Sequence, residues 1–410
     1  MNILYTESSP NIGGQELQAV AQMCAMRRLG HQVMLACREH SRISAEAHRY
    51  GIPVVHIPFR NSLHPPSVRA LRRLIVTFRP GMVVCHSGHD SNIVGITRRI
   101  LSGGTSRFAI IRQKTYMTQN MKMFSLNHMC DVVVVPSEEM RSRLIHEMCR
   151  QSVVVIPPGM DLAGLRKQAD EALPEHIDVW LKKRAPAPVI VQVGMIRPEK
   201  GHDFMLEVLN RLKQRGMCFY WLIVGGGNRA EEERLKAKIS CLGMNDCVLM
   251  CGLLSPVAPV YRKASLMVMP SRNEAFGMAI VEATVCGMPV MASRVGGIPS
   301  VIHHGYNGTL LPPDDRAAWE NALTSFLDAP ECAQTMVLRG QEEMDARYSI
   351  DSTVRELIAQ GRRYRYIRWG VTTDNNFHDG KCGYAICNEK SCPGKHVPVT
   401  ENITKQRSCR

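Results

Sequence analysis

Val189-Ile190-Val191-Gln192-Val193-Gly194-Met195-Ile196-Arg197-Pro198-Glu199-Lys200-Gly201-His202 decides how this 410-residue chain is read. A β-branched run stops at a glycine, a short loop carries two cations three residues apart, and a helical pattern starts at once. The preceding Lys182-Lys183-Arg184-Ala185-Pro186-Ala187-Pro188 cannot continue a helix or a central strand, because prolines two apart lack the amide donors that both require. A joint between two domains is therefore expected over 172–188. Apolar runs recur after it at 189–194, 218–224, 248–252, 266–270, 290–293 and 309–311. Before it they stand at 2–6, 32–37, 54–57, 82–86, 108–112, 132–136 and 153–157, with helical stretches such as 16–29 and 138–148 between them. Such alternation predicts parallel strands with crossover helices. The fold class expected is α/β: two doubly wound domains of similar size, joined once near the middle, with a ligand in the cleft where they face each other.

Composition narrows the function. Hydrophobic residues make up 45% and charged residues 21%, a globular balance that excludes a disordered chain. The net charge is +14, and residues 1–150, with 19 basic and 9 acidic side chains, supply +10 of it. A first half of this kind suits an anionic surface or ligand. Aromatic residues are only 6% and the cations are dispersed, so nucleic acid is not an expected partner. Of fifteen cysteines, eleven stand singly, many in apolar runs, which predicts a reducing, cytoplasmic compartment rather than a disulfide framework. No secretory leader and no apolar stretch of membrane-spanning length is read.

Two segments carry the chemistry. Arg197 and Lys200, beside a helix start, can converge on a phosphate group; the same residues would also suit a solvated basic turn. In Pro270-Ser271-Arg272-Asn273-Glu274-Ala275-Phe276-Gly277-Met278-Ala279-Ile280-Val281-Glu282-Ala283, one carboxylate lies in a loop and a second eight residues on. Eight residues make about 2.2 helical turns, so the two are expected on one face. Glu274 can accept hydrogen bonds from sugar hydroxyls, and Gly277 allows close backbone approach to a ligand. Alternatively Glu274 caps the helix and Glu282 is solvated.

Read in order, Arg197-Pro198-Glu199-Lys200-Gly201, the Glu274/Glu282 frame, Gly287-Met288-Pro289-Val290 and Val295-Gly296-Gly297-Ile298-Pro299 resemble family 4 glycosyltransferases of the bacterial surface-polysaccharide or lipopolysaccharide type. Gly13-Gly14-Gln15-Glu16 and Ile156-Pro157-Pro158-Gly159-Met160-Asp161 extend the likeness from residue 1 to about 370. The resemblance implies the GT-B fold of two Rossmann-like domains. It places an acceptor-side domain over 1–172, a nucleotide-sugar domain over 188–350, and a helix over 351–371 returning to the first domain. The implied activity is retaining transfer from a nucleotide diphosphate sugar to a glycan or lipid-linked acceptor. Arg197 and Lys200 resemble the pair that binds the donor diphosphate, Glu274 the carboxylate on the donor sugar, and Glu282 the one on the ribose. Gly13 and Gly14 would turn backbone amides to phosphate or acceptor, with Gly225 and Gly277 beside the donor. His86 resembles the cleft histidine near the transferred sugar, and His89 is a second candidate. No cofactor and no divalent metal is expected, since two cations can carry the diphosphate charge and no Asp-x-Asp occurs.

Some features depart from the family. Ser300 stands where relatives often have Glu, and Gln113-Lys114-Thr115 where similar relatives have a second Arg and a His. Segment 67–79 reads as a basic amphipathic helix suited to anionic lipid at the inner face of the cytoplasmic membrane. Residues 372–410 lack periodicity and are expected to form a poorly structured tail; Cys382, Cys387, Cys392 and Cys409 with His378 or His396 would be its only route to a zinc site. A sugar-nucleotide epimerase or phosphorylase shares the architecture and is the alternative enzyme class. A nicotinamide enzyme is excluded by the lack of Gly-x-Gly-x-x-Gly after the first strand.

Overall fold

Each β-branched run forms a strand, and the strands assemble into two parallel sheets in a computed structural model. The structure describes residues 1–115, 123–147, 149, 151–184 and 186–370. In the first sheet, β1 (Asn2–Glu7), β2 (Gln32–Cys37), β3 (Val54–His56), β4 (Met82–Cys85), β5 (Ala109–Gln113), β6 (Val132–Val135) and β7 (Ser152–Val155) lie in the order β3-β2-β1-β4-β5-β6-β7. In the second, β8 (Val189–Val193), β9 (Tyr220–Val224), β10 (Val248–Gly252), β11 (Leu266–Met269), β12 (Val290–Ser293) and β13 (Thr309–Leu311) lie in the order β10-β9-β8-β11-β12-β13. Helices cover both faces, which is why strands such as Met82–Cys85 and Val132–Val135 are buried at every residue. Strand order reverses beside β1/β4 and again beside β8/β11. Ligands of open α/β sheets bind beyond the carboxyl ends of strands at such reversals.

The chain changes sheets earlier than the proline-rich segment suggests. Met160, Leu162 and Ala169 already belong to the core of the second sheet. Segment 172–188 carries a helix, Glu175–Lys182, whose Trp180 and Leu181 pack against that same core. Its prolines therefore end a helix of the second domain and do not separate two domains. The crossing lies at Pro157-Pro158-Gly159-Met160, and the chain crosses back beside it: Met160 N–H donates to Tyr348 O and Ile350 N–H to Met160 O, each at 2.8 Å. Gly159 is required there, since a Cβ would fall 2.6 Å from the Ile350 Cα.

The helix Ile350–Trp369, begun by the Ser349 side chain, places Ile350, Val354, Leu357 and Ile358 in the core of the first sheet. Arg28–Asp351 and Arg368–Asp131 ion pairs hold its two ends. The helix Pro65–Phe78 buries Leu71 and Ile75 and packs Val68, Leu74 and Phe78 on its own sheet, leaving Arg69, Arg72, Arg73 and Arg79 at the surface. Its apolar face is thus used internally, and lipid contact there would rest on the arginines. Among the described residues no helix is long and apolar enough to cross a membrane. The expected tail and its cysteines lie outside the described residues.

Candidate active site

Parallel pairing of β1 with β4 sets Thr6 opposite Cys85, so Glu7 and His86 leave the first sheet side by side at its reversal. Both side chains are about 1% exposed. His86 Nε2 lies 2.8 Å from Gln113 Oε1 and Nδ1 3.4 Å from Thr6 O. Burial lowers the His86 pKa, which leaves the ring neutral. After β1 the chain turns into the helix Gly14–Arg28. Gly13 N–H donates to Glu16 Oε2 at 2.8 Å, so this amide is engaged in capping its own helix. Gly14 lines the cleft, and a Cβ there would meet nothing within 4 Å.

On the other side, three loops at the carboxyl ends of β8, β11 and β12 are bound together by close backbone packing. A Cβ at Gly201 (φ +71°) would lie 2.1 Å from Pro270 O, and Arg272 N–H donates to Glu199 O at 2.8 Å. A Cβ at Gly296 (φ +54°) would lie 1.9 Å from Glu274 O, while Gly297 N–H donates to that oxygen at 2.9 Å. The glycine pair thus fixes the loop that presents Glu274. Within this frame Lys200 Nζ meets Glu274 Oε2 at 2.5 Å, and Arg197 extends outward, 57% exposed. Gly296→Ala should cost on the order of 3 kcal/mol, since backbone must move on both sides. Thermal unfolding checks this; an unchanged melting temperature would remove the glycine pair from the account.

Glu274, Gly277 and Met278 face His86, Gln113 and Gly14 across one cleft of about 200 Å³. The helix Met278–Val285 starts in this cleft from Gly277 (φ +99°). Glu274 therefore precedes the helix, and the expectation that Glu274 and Glu282 share a helical face is incorrect: the left-handed Gly277 separates them. Neither is Glu274 the cap nor Glu282 solvated. Glu282 is largely buried, accepts from Tyr261 Oη at 3.1 Å, and burial raises its pKa. Gly225 (φ +145°) has a backbone role, since a Cβ would lie 2.0 Å from Gly194 O. His89 points elsewhere, its Nδ1 3.0 Å from Ser62 Oγ.

This arrangement, with strand-end loops of two Rossmann-like domains meeting across a cleft, can be set against known proteins. Residues 12–163 match the model of Glycosyltransferase Family 4, and residues 176–343 that of Glycosyl transferases group 1. The chain belongs to this family of glycosyltransferases. It is 32% identical to the D-inositol 3-phosphate glycosyltransferase of Segniliparus rotundus over 216 residues, 52% of this chain and 47% of that one. It is also 32% identical to the protein of that name from Corynebacterium efficiens over 225 residues, 52% of each. The chain thus spans about half the length of the curated relatives it matches. Among solved structures, a glycosyltransferase from Rickettsia africae superposes with a TM-score of 0.76 at 18% identity, covering 88% of this chain and 98% of that one. Anabaena HepE in complex with UDP and glucose does so with a TM-score of 0.72 at 18% identity, covering 88% and 99%. These likenesses show the fold, which is GT-B.

Within the glycosyltransferase cleft, some lining residues escaped sequence reasoning. Gln15, Gln18 and Gln22 line the cleft from the helix Gly14–Arg28, beside Lys114, the cation already singled out in Gln113-Lys114-Thr115, whose pKa burial and then Arg112 lower to about 8. Polar residues at spacings of three and four were the available signal. Glu7 left none, because its neighbour His86 is nearly eighty residues away.

Proposed function

We propose that this chain is a retaining glycosyltransferase that moves a sugar from a nucleotide diphosphate sugar to a glycan or lipid-linked acceptor. The observation that carries the reading is the Lys200–Glu274 pair, held by three loops at the second sheet's reversal and opposite His86. A donor diphosphate takes Lys200 away from Glu274, freeing the carboxylate to accept from donor-sugar hydroxyls. Arg197 and the amides at the start of Met278–Val285 add positive potential for the same anion. The anomeric C–O bond breaks with its electron pair leaving on the diphosphate. The acceptor oxygen attacks the same face, and its proton passes to a departing phosphate oxygen. Positioning and electrostatic stabilisation supply the acceleration, and the two cations meet the leaving charge without a divalent metal.

A second pocket of about 580 Å³ shares Gly14, Gln15 and Thr115 with the cleft and is lined by Arg38 and Arg60 as well as by Glu7 and Glu16. It supports an acceptor with an anionic group, as the names of the inositol phosphate relatives also suggest. The exposed arginines of Pro65–Phe78 support contact with anionic lipid during surface-polysaccharide or lipopolysaccharide assembly. A thermal-shift screen of nucleoside diphosphates and their sugars tests the donor; stabilisation by none would sink the reading.

Glu274→Gln and Glu282→Gln should separate donor sugar from nucleotide. Glu274→Gln is expected to lower turnover while diphosphate affinity stays within about threefold, and Glu282→Gln to weaken diphosphate binding by tenfold or so. Calorimetric titration of both variants decides, and equal losses would erase the distinction.

A further inference from the structure

Three oxygens converge on the ring of His86, which when neutral has a single N–H. Gln113 Oε1 is 2.8 Å from Nε2; Thr6 O is 3.4 Å and Glu7 Oε2 3.8 Å from Nδ1. The Gln113 amide turns Oε1 to Nε2 at a shorter distance than that from Thr6 O, which can also only accept, to Nδ1, and this orientation places the ring proton on Nε2. The Nδ1 edge then lacks a donor, and Glu7 is the side chain beside it that can hold a proton. Other groups around Glu7 explain why it would. Ser9 N–H donates to Oε1 at 2.9 Å and Gln15 Nε2 to Oε2 at 3.3 Å. Against these, burial, then the charge of Asp90, and to a smaller extent Glu16, push the Glu7 pKa up to about 8. Asp90 itself accepts from Ser87 N–H, Thr6 Oγ1 and His86 N–H, with Arg112 at 3.8 Å behind it. Glu7 is therefore held largely neutral at pH 7, with its Oε2 3.8 Å from Nδ1.

We propose that Glu7 is a positioning residue for the transfer reaction: its own proton, directed at Nδ1, holds His86 as the Nε2–H tautomer facing Gln113 and the cleft. The inference rests on the transferase reading for its kinetic consequence but not for its structural one. Ionised, Glu7 becomes an acceptor; the ring proton moves to Nδ1, and Nε2 is left bare facing Gln113.

Ring-nitrogen chemical shifts of His86 in the full chain, followed from pH 6.5 to 9.5, test the proposal without substrate. Wild type should show the Nε2–H tautomer at pH 7 and pass to Nδ1–H near pH 8. Glu7→Gln, whose amide donates at any pH, should remain Nε2–H throughout. An Nδ1–H ring at pH 7, or the same transition in Glu7→Gln, overturns the proposal. With UDP-glucose as donor probe, wild-type turnover should fall about tenfold between pH 7 and 9 as the neutral fraction of Glu7 declines, and Glu7→Gln should not show that fall. An identical fall in both overturns the kinetic part. Absence of turnover in wild type would count against the donor reading, while the ring signal still decides the role of Glu7.

Discussion

Lys200→Ala should reduce transfer by 10²-fold or more with the fold intact, and Arg197→Ala should follow it closely. Removing one charge-assisted contact that strengthens as charge develops costs about 3–4 kcal/mol in the transition state, or 10²–10³ in rate. Lys200 is the more sensitive of the two, because its side chain is 24% exposed and paired with Glu274, whereas that of Arg197 is 57% exposed. The fold should survive, since the glycine-mediated backbone contacts and not this ion pair join the loops. Steady-state rates of both variants decide; values within a few-fold of wild type would show that neither cation meets the leaving diphosphate.

Ending the chain before Ser349 should abolish stable folding, whereas ending it after Gly370 should not. The helix Ile350–Trp369 buries Ile350, Val354, Leu357 and Ile358 in the first sheet's core. At about 1.5–3 kcal/mol per fully buried apolar side chain, these four contribute roughly 6–12 kcal/mol, comparable to the whole stability of a typical protein. Residues 372–410 have few large apolar side chains and no period, so little stability is assigned to them. Thermal unfolding of both truncations is the check. A cooperative transition at the wild-type temperature for the shorter chain would refute the role of the helix, and a loss of several degrees for the longer one would give the tail a structural part.

Local signals explain what was legible. Each β-branched run became a strand within one or two residues at its ends, because buried parallel strands demand such runs whatever their neighbours. The placement of Arg197, Lys200 and Glu274 in loops after strands was legible, because the apolar runs that precede them end at short, recognisable spacing. The change of sheets was not: Met160, Leu162 and Ala169 would look the same on either core, while the prolines after Lys182 gave the stronger local signal. The shared face of Glu274 and Glu282 failed through one backbone angle, since the left-handed conformation at Gly277 starts the helix only after Glu274. Glu7 stayed hidden because its environment exists only once β1 pairs with β4, strands separated by two others in sequence.

The central claim, that the loops at the β8/β11 reversal hold the donor diphosphate, is tested most directly by calorimetric titration of UDP into wild type, Lys200→Ala and His86→Ala. The account predicts one site per chain in wild type, at least tenfold weaker binding in Lys200→Ala, and little change in His86→Ala, which lies on the opposite wall. Equal affinity for UDP in wild type and Lys200→Ala, or a loss confined to His86→Ala, would contradict it.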